Sequence, residues 1–445
     1  MNEQDKKFAK LNMLDDYGHR LFIIPAEVRG KWKTYKSYVH TLLLLVFLLL
    51  PWIFIDGHQV LLLDIVNRQF YFFGLKLLSH DAPLLFLILL GLAVGLALVT
   101  ALWGRVWCGW ACPQTVFIER VFRQIEIWVE GNYLERRKLQ HAPLSFSKLM
   151  KVSFKWILYF LVSSIMAHSF LSYFIGSEKL IQMMSLSPFQ NWTYFLLVLS
   201  CTALFLFNFG WFREQFCIIV CPYGKIQSVL MDQQSLAVTY DSSRSDCVQC
   251  NRCVQVCPTG IDIRKGLQME CINCTACIDA CDEIMEKVSK PKGLIRYKAL
   301  THQAIHWFRP RVLVYFTFLI FSIGGLIWGL GTHADFSVHI KRSQGLPFLS
   351  LNYEGEQVIQ NQFLLRVQNH SQIEKSITLK ILTESTNLRL SQNPIVIPSG
   401  AHQSIPFFLH QSANHFTTTG TQDVTIEFKT DDEAWTEVIQ MLGPQ

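Results

Sequence analysis

Residues 247–258 read Cys-Val-Gln-Cys-Asn-Arg-Cys-Val-Gln-Val-Cys-Pro, a C-x2-C-x2-C-x3-C-P run. After thirteen intervening residues a second such run follows at Cys271, Cys274, Cys277 and Cys281, ending in Asp282 rather than Pro. Three thiolates two residues apart can each take one iron of a cubane, while the fourth, set before a chain reversal, ligates the other cluster. The spacing therefore predicts two [4Fe–4S] clusters with crossed ligands. Cys247, Cys250, Cys253 and Cys281 serve the first; Cys271, Cys274, Cys277 and Cys257 serve the second. Structural zinc is the rival, but four-cysteine zinc sites are usually built from two separated pairs. The proline shapes a turn and is no ligand, so Asp282 leaves the ligand count intact.

A second thiol pattern occurs twice, as Cys108-Gly-Trp-Ala-Cys112-Pro113 and Cys217-Ile-Ile-Val-Cys221-Pro222. Each C-x3-C-P follows an arginine (Arg105, Arg213) and the end of a long apolar run, which reads as an internal duplication. Cysteines at i and i+4 share one face of a helical turn, so each pair could grip one soft metal ion. Proline in the next position suits the first turn of a following helix, whose N-terminus favours thiolate. If the two halves pack about a pseudo-two-fold axis, four thiolates converge, and sulfur ligands select Cu(I), zinc or iron–sulfur. A lone pair would read as buried small apolar residues; two identically spaced pairs at equivalent positions favour a metal or redox role. Cys201, inside an apolar run without a partner, reads as packing.

Composition says what must carry these thiols. Half of the 445 residues are apolar and 17% are charged, against ~25% in typical soluble domains. All thirteen cysteines lie between Cys108 and Cys281, and the last 164 residues have none, unlike an extracellular disulfide framework. Five runs reach the ~20 residues needed to cross a bilayer: Val39–Ile55, Pro83–Trp103, Trp156–Ile175, Trp192–Phe212 and Val312–Leu330. None contains a formal charge, and Trp or Tyr sits near several ends, as interface belts require.

Lysine and arginine orient these spans. Eight precede span 1, nine lie between spans 2 and 3, and thirteen between spans 4 and 5. The other two connections hold two and one. Positive-inside logic places the N-terminus and the cysteine-rich segment in the cytoplasm of a bacterial inner-membrane protein and the C-terminal part in the periplasm. No cleavable signal peptide is expected, span 1 acting as anchor. The expected divisions are a cytoplasmic segment 1–38, spans 1–4 over 39–236, a dicluster ferredoxin-like insert over 237–300, a linker and span 5 over 301–332, and a domain over 333–445.

That last domain shows about seven short β-like runs: Phe336–Lys341, Phe363–Val367, Ile377–Leu382, Ile395–Ile397, Ile405–Leu409, Val424–Lys429 and Trp435–Met441. Broken by Asn, Ser, Gly and Pro, they predict an immunoglobulin-like sandwich in a docking or spacer role. The fold class is thus a five-span α-helical bundle with a ferredoxin-like insert and an all-β sandwich. His168, within span 3, is an intramembrane suspect for haem or quinone ligation, with His40, His302 and His306 as weaker candidates at the membrane edge. Motifs for c-type haem and for nucleotides are missing from the sequence, so an external electron donor is expected, and no nucleic-acid partner.

The order of these features (Gly30-Lys-Trp-Lys, C-x3-C-P after span 2, C-x3-C-P after span 4, dicluster ferredoxin, last span, exported β domain) resembles the cytochrome c oxidase accessory protein family (FixG, RdxA, CcoG). The resemblance covers essentially the whole chain. It implies cytoplasmic reduction of Cu(II) to Cu(I) in maturing a cbb-type haem–copper oxidase. Cys108, Cys112, Cys217 and Cys221 would handle copper, and the eight ferredoxin cysteines would hold the clusters that supply electrons. Implied partners are copper ions, a copper chaperone or transporter, oxidase assembly factors, the lipid bilayer and an electron donor of unspecified kind; a homodimer is left open. Two other readings compete: a quinol-oxidising subunit like NapH, and a non-redox copper carrier or scaffold.

Overall fold

A computed structural model describes residues 22–444 apart from 56, 79–80, 300–307, 332–335, 344, 354–355, 370–373, 384–385, 399–400, 417–419 and 431–433. Contacts divide the chain into two compact units, Met1–Trp328 and Gly329–Gln445. His302 and His306 lie outside the described residues.

Among the described residues five helices are long and apolar enough to span a bilayer: Lys31–Trp52, Ala82–Trp103, Phe146–Ile175, Trp192–Phe212 and Pro310–Gly331. They match the five expected spans in number and order, with two corrections to their ends. Spans 1 and 3 start earlier, taking in Lys31, Lys33 and Lys36 and Lys148, Lys151 and Lys155; Lys36 is neutralised by Glu119 and Lys155 by Glu130, and the exposed lysine stems can lie along a helix with the ammonium reaching water. Span 1 also stops earlier, closing in a short 3-10 turn at Leu50–Trp52 that carries Pro51. Phe54–Ile55 then pairs with His58–Gln59 as a β-hairpin, so Ile55 is strand rather than span. Ser322 on span 5 donates to the Leu87 carbonyl of span 2 (2.7 Å), and Tyr173 on span 3 to the Phe47 carbonyl of span 1 (2.9 Å).

The cysteine-rich insert is a small α/β fold. Strand Leu236–Tyr240 pairs antiparallel with Ile295–Ala299, bracketing helices Arg252–Gln255 and Ala276–Lys287. Val238, Ile263, Ile278 and Ile295 form its core, with Cys253, Cys277 and Cys281 packed against it. Two anchors tie it to the spans. Asp279 accepts the backbone N–H groups of Trp32 (3.2 Å) and Lys33 (2.7 Å), capping the start of span 1 with a carboxylate where the helix dipole favours one. Ser235 donates to the Ala101 carbonyl near the end of span 2 (2.6 Å).

The second unit is a β-sandwich. One sheet runs Thr386–Leu390, His402–Ser412, Glu356–Asn369 and Phe336–Arg342, with Leu349–Tyr353 also pairing Glu356–Asn369; the other runs Ile395–Ile397, Lys375–Ile381, Thr421–Lys429 and Ala434–Leu442. Phe363, Leu365, Ile377, Phe407, Val424 and Phe428 fill the space between them. All seven expected β runs fall in strands. Leu349–Tyr353 and Thr386–Leu390 are additional; both lie at sheet borders, where one apolar face is short and alternation is weak.

Candidate iron–sulfur and thiol sites

Each ferredoxin motif is bent by two residues in the left-handed region, one on either side of its second cysteine. Gln249 (φ 53°) and Asn251 (φ 58°) flank Cys250; Asn273 (φ 51°) and Thr275 (φ 64°) flank Cys274. Such a conformation is disfavoured for residues other than glycine, and its repetition at equivalent places marks a constrained loop. Alternating hand turns successive N–H groups toward one concavity, a shape suited to an anionic group.

The loops border two small pockets. Cys247, Cys250, Cys253 and Cys281 line the first, and Cys257, Cys271, Cys274 and Cys277 the second, which Cys253 also borders. The structure thus brings together the two crossed sets read from the spacing. A cubane takes one thiolate on each of its four irons, and each pocket is lined by four cysteines of one crossed set, so this all-sulfur donor set fits an iron–sulfur cluster. Burial pushes the Cys271 and Cys281 thiols up to about 12, with neighbouring thiols adding to the shift. Thiolates there depend on bound metal to balance their charge.

The C-x3-C-P pairs depart from the expected continuous helical turn. Cys108 lies in helix Val106–Trp110 and Cys217 in the π-helical turn Phe216–Val220. Cys112 and Cys221 are instead extended N-caps of the next helices, Pro113–Phe117 and Pro222–Leu230. Proline at the first helical position explains this, since it biases the preceding residue away from helical geometry. The duplication extends to the backbone: Gly104 (φ 59°, ψ −137°) ends span 2 and Arg213 (φ 53°, ψ −126°) ends span 4. Glycine accepts that conformation freely, whereas an arginine there stores about 1–3 kcal/mol of strain.

Arg213 is held by its partners. Its guanidinium meets Glu126 (2.5 Å), the Tyr159 hydroxyl (2.9 Å) and the Gly210 carbonyl (3.0 Å), all buried. Burial alone would raise the Glu126 carboxyl, but Arg213 and Arg136 hold it down to about 2. A second buried group joins Lys36 to Glu119 (2.7 Å), with Arg123 bridging Glu119 and Glu214. Burial opposes the Glu119 charge too; Lys36, Lys33 and Arg123 overcome it and hold this carboxyl well below its ordinary range. Glu119, Arg123 and Glu126 share one helix face at spacings of four and three, a signal legible in the sequence that went unread.

The two thiol turns face each other. Cys108 Sγ donates to Gln227 Oε1 (3.0 Å), Arg105 to the Gly224 carbonyl (2.7 Å), and Gln114 to the Arg213 carbonyl (3.1 Å). Each of Cys108, Cys112, Cys217 and Cys221 lies within electrostatic range of the other three. Burial pushes the Cys108 thiol up to about 12 and raises Cys217 and Cys112, the N–H groups of Gln114 and Thr115 drawing Cys112 partly back. The turn around Cys108 packs directly on the ferredoxin loop: a Cβ at Gly109 would come within 2.5 Å of the Ile272 carbonyl and 2.8 Å of the Asn273 carbonyl. Only glycine permits that approach.

His168 and His40 are placed differently. His168 Nδ1 bonds the Ser164 carbonyl one turn earlier on its own helix (2.8 Å), the pattern of a locally satisfied side chain. His40 is buried in span 1 and its ring meets the backbone of Gly109. Cys201 is half-buried on span 4.

Fold and site together define a membrane-associated iron–sulfur electron-transfer protein. The chain matches a 4Fe–4S dicluster domain over residues 212–246 and 241–300, a 4Fe–4S binding domain over 84–133, and the IG-like fold at the C-terminal of FixG over 326–442, whose description assigns FixG provisionally to the oxidoreductases. It is 32% identical to protein RdxB of Cereibacter sphaeroides over 83% of both chains, and 30% identical to nitrogen fixation protein FixG of Rhizobium meliloti over 82% of this chain and 80% of that one. Protein RdxA of Cereibacter sphaeroides is 35% identical over 64% of both chains. The chain belongs to the FixG/RdxA family.

Proposed function

We propose that this protein carries electrons from two [4Fe–4S] clusters to the four membrane-edge thiols, where Cu(II) is reduced to Cu(I) for assembly of a cbb-type oxidase. The observation that carries the reading is the packing of Gly109, next to Cys108, against the loop between Cys271 and Cys274. It sets the turn holding Cys108 directly against the loop that carries Cys271 and Cys274. Cys247, Cys250, Cys253 and Cys281 hold one cluster and Cys257, Cys271, Cys274 and Cys277 the other, each supplying one-electron chemistry when bound. Thiolates favour the soft product Cu(I) over Cu(II), which gives the transfer its direction. Arg105, buried between Cys108 and Cys271, lies within range of both and stabilises negative charge on either side.

The charge pattern of the connections supports an inner-membrane protein with the ferredoxin insert in the cytoplasm and the sandwich in the periplasm. A copper chaperone or transporter and oxidase assembly factors are the partners this role calls for. The test is an anaerobic assay in which dithionite-reduced protein, freed of reductant, meets Cu(II) and a Cu(I)-specific chelator. One Cu(I) should form per electron stored, and Cys108→Ser with Cys217→Ser should abolish it. Undiminished Cu(I) formation by that variant would refute the role of the quartet. Rapid reduction of the clusters by a quinol analogue, with no Cu(I) formed, would favour quinol oxidation instead.

A further inference from the structure

A larger cavity, of about 320 Å³, lies beside the loop that carries Cys274. That places it in the range of small-ligand sites, roughly 300–1,000 Å³. Its walls come from residues 25–29, the first turns of span 1, the helical stretch after Cys112 and both ferredoxin motifs. Arg29, Lys33, Lys36, Arg123 and Arg136 line it, against two carboxylates, Glu27 and Glu119. Lys36 and Arg136 are only 3% and 4% exposed, so this charge is built into the fold and is no solvated face.

Three of the five cations are already engaged: Lys36 by Glu119, Arg123 by Glu119 and Glu214, and Arg136 by Glu126 and Glu27. With Glu126 and Glu214 counted, and Arg213 that shares Glu126, cations still outnumber carboxylates six to four. Lys33 reaches Glu119 only at 3.6 Å, and Arg29 is exposed with no ion pair among the described residues. The Nε–H groups of Arg123 and Arg136 are buried without an acceptor among the described residues. Unmet donors on buried guanidiniums are rare and call for a partner. Forked guanidiniums beside ammonium groups are the donor set that recognises phosphate oxygens.

We propose that this cavity binds a phosphate group, carried by a lipid head group or by a soluble phosphorylated compound. A phosphate monoester brings a charge of about −1.5 to −2, which suits several cations better than the single charge of a carboxylate. Arg29 and Lys33, the more exposed pair, turn onto the phosphate, and the buried three hold the field around it. Basic pockets of this kind beside membrane helices accept lipid head groups, and a free phosphate would use the same donors. Lys36 lies within electrostatic range of Cys274, so an anion bound here is felt by the second cluster. Added negative charge lowers a cluster's reduction potential. Occupancy of the site therefore sets how readily that cluster gives up its electron. The site is independent of the copper chemistry, and loss of Cu(II) reduction leaves it standing.

The test titrates inorganic phosphate into detergent-purified full-length protein, with potentiometry of both clusters and potassium chloride at equal ionic strength as control. Wild type should bind phosphate saturably, and the cluster held by Cys257, Cys271, Cys274 and Cys277 should fall in potential while the other moves less. Arg29→Gln/Lys33→Gln should bind about tenfold more weakly or worse and keep its iron. A lipid source shows when phosphatidylglycerol nanodiscs, but not phosphatidylcholine ones, produce the same shift in wild type and not in the variant. Either source upholds the site. Four results overturn it: no saturable response to phosphate or phosphatidylglycerol, binding without a shift of that cluster, a shift that chloride reproduces, or equal binding by an iron-replete variant. Should the variant lose iron, the wild-type titration against chloride decides alone.

Discussion

Gly109 shows how the lack of a side chain sets how closely the turn holding Cys108 approaches the ferredoxin loop. Replacing it with alanine drives a methyl into the Ile272 and Asn273 carbonyls, an overpacking expected to cost about 1–3 kcal/mol. Gly109→Ala should retain ferredoxin iron but slow Cu(I) formation several-fold, as a stopped-flow comparison would show; an unchanged rate would mean that electrons leave by another route. Glu126 offers a second test at this scale. With Arg213 and Arg136 holding it near 2, it contributes stability present above its ordinary value and lost as pH falls from about 4.5 toward 2. Glu126→Gln leaves the buried Arg213 guanidinium without its carboxylate and Arg136 with only Glu27, and should cost about 3–5 kcal/mol, flattening the acid limb of a thermal melt. The residues of chemistry were legible from spacing alone, because cluster ligation demands cysteines at fixed intervals. The contacts of Gly109 and Arg105 were not, because their partners lie far away in sequence and nothing local in a glycine reveals what approaches it. The spacing of Glu119, Arg123 and Glu126 was visible, but the distant Arg213 that pairs with Glu126 was not.

The elements that place the thiols are short, capped and strained in repeated ways. Left-handed residues flank Cys250 and Cys274 alike, and prolines fix Cys112 and Cys221 as helix caps. The proline-started helices could be read from the sequence; the i, i+4 face could not stand, because proline forces the preceding cysteine out of the helix. Span ends shifted for a similar local reason, since lysine stems extend a helix beyond its uncharged stretch. One joint between insert and membrane helix is Asp279, which accepts two N–H groups at the start of span 1. Asp279→Ala should cost about 1 kcal/mol at that cap and loosen the insert. Hydrogen exchange at Trp32 and Lys33 measures this, and protection equal to wild type would show that the cap is idle.

At the scale of the molecule the chain combines two units with separate cores. The sandwich was legible as alternating runs because its strands each bury one face; its two extra strands were hidden at the borders. A fragment of residues 329–445 should fold alone, with a β-type circular dichroism spectrum, a cooperative melt and no iron; a disordered fragment would show that the sandwich depends on the rest of the chain. The remaining residues should keep all the metal. Eight ferredoxin cysteines, crossed between two motifs, should hold two iron cubes side by side. In low-temperature paramagnetic resonance of the fully reduced, anaerobically purified protein, signals broadened and split by two neighbouring clusters are expected, reduced to one unsplit cluster signal from the ferredoxin when Cys271 and Cys274 are replaced by serine. A silent spectrum with zinc in place of iron would contradict it.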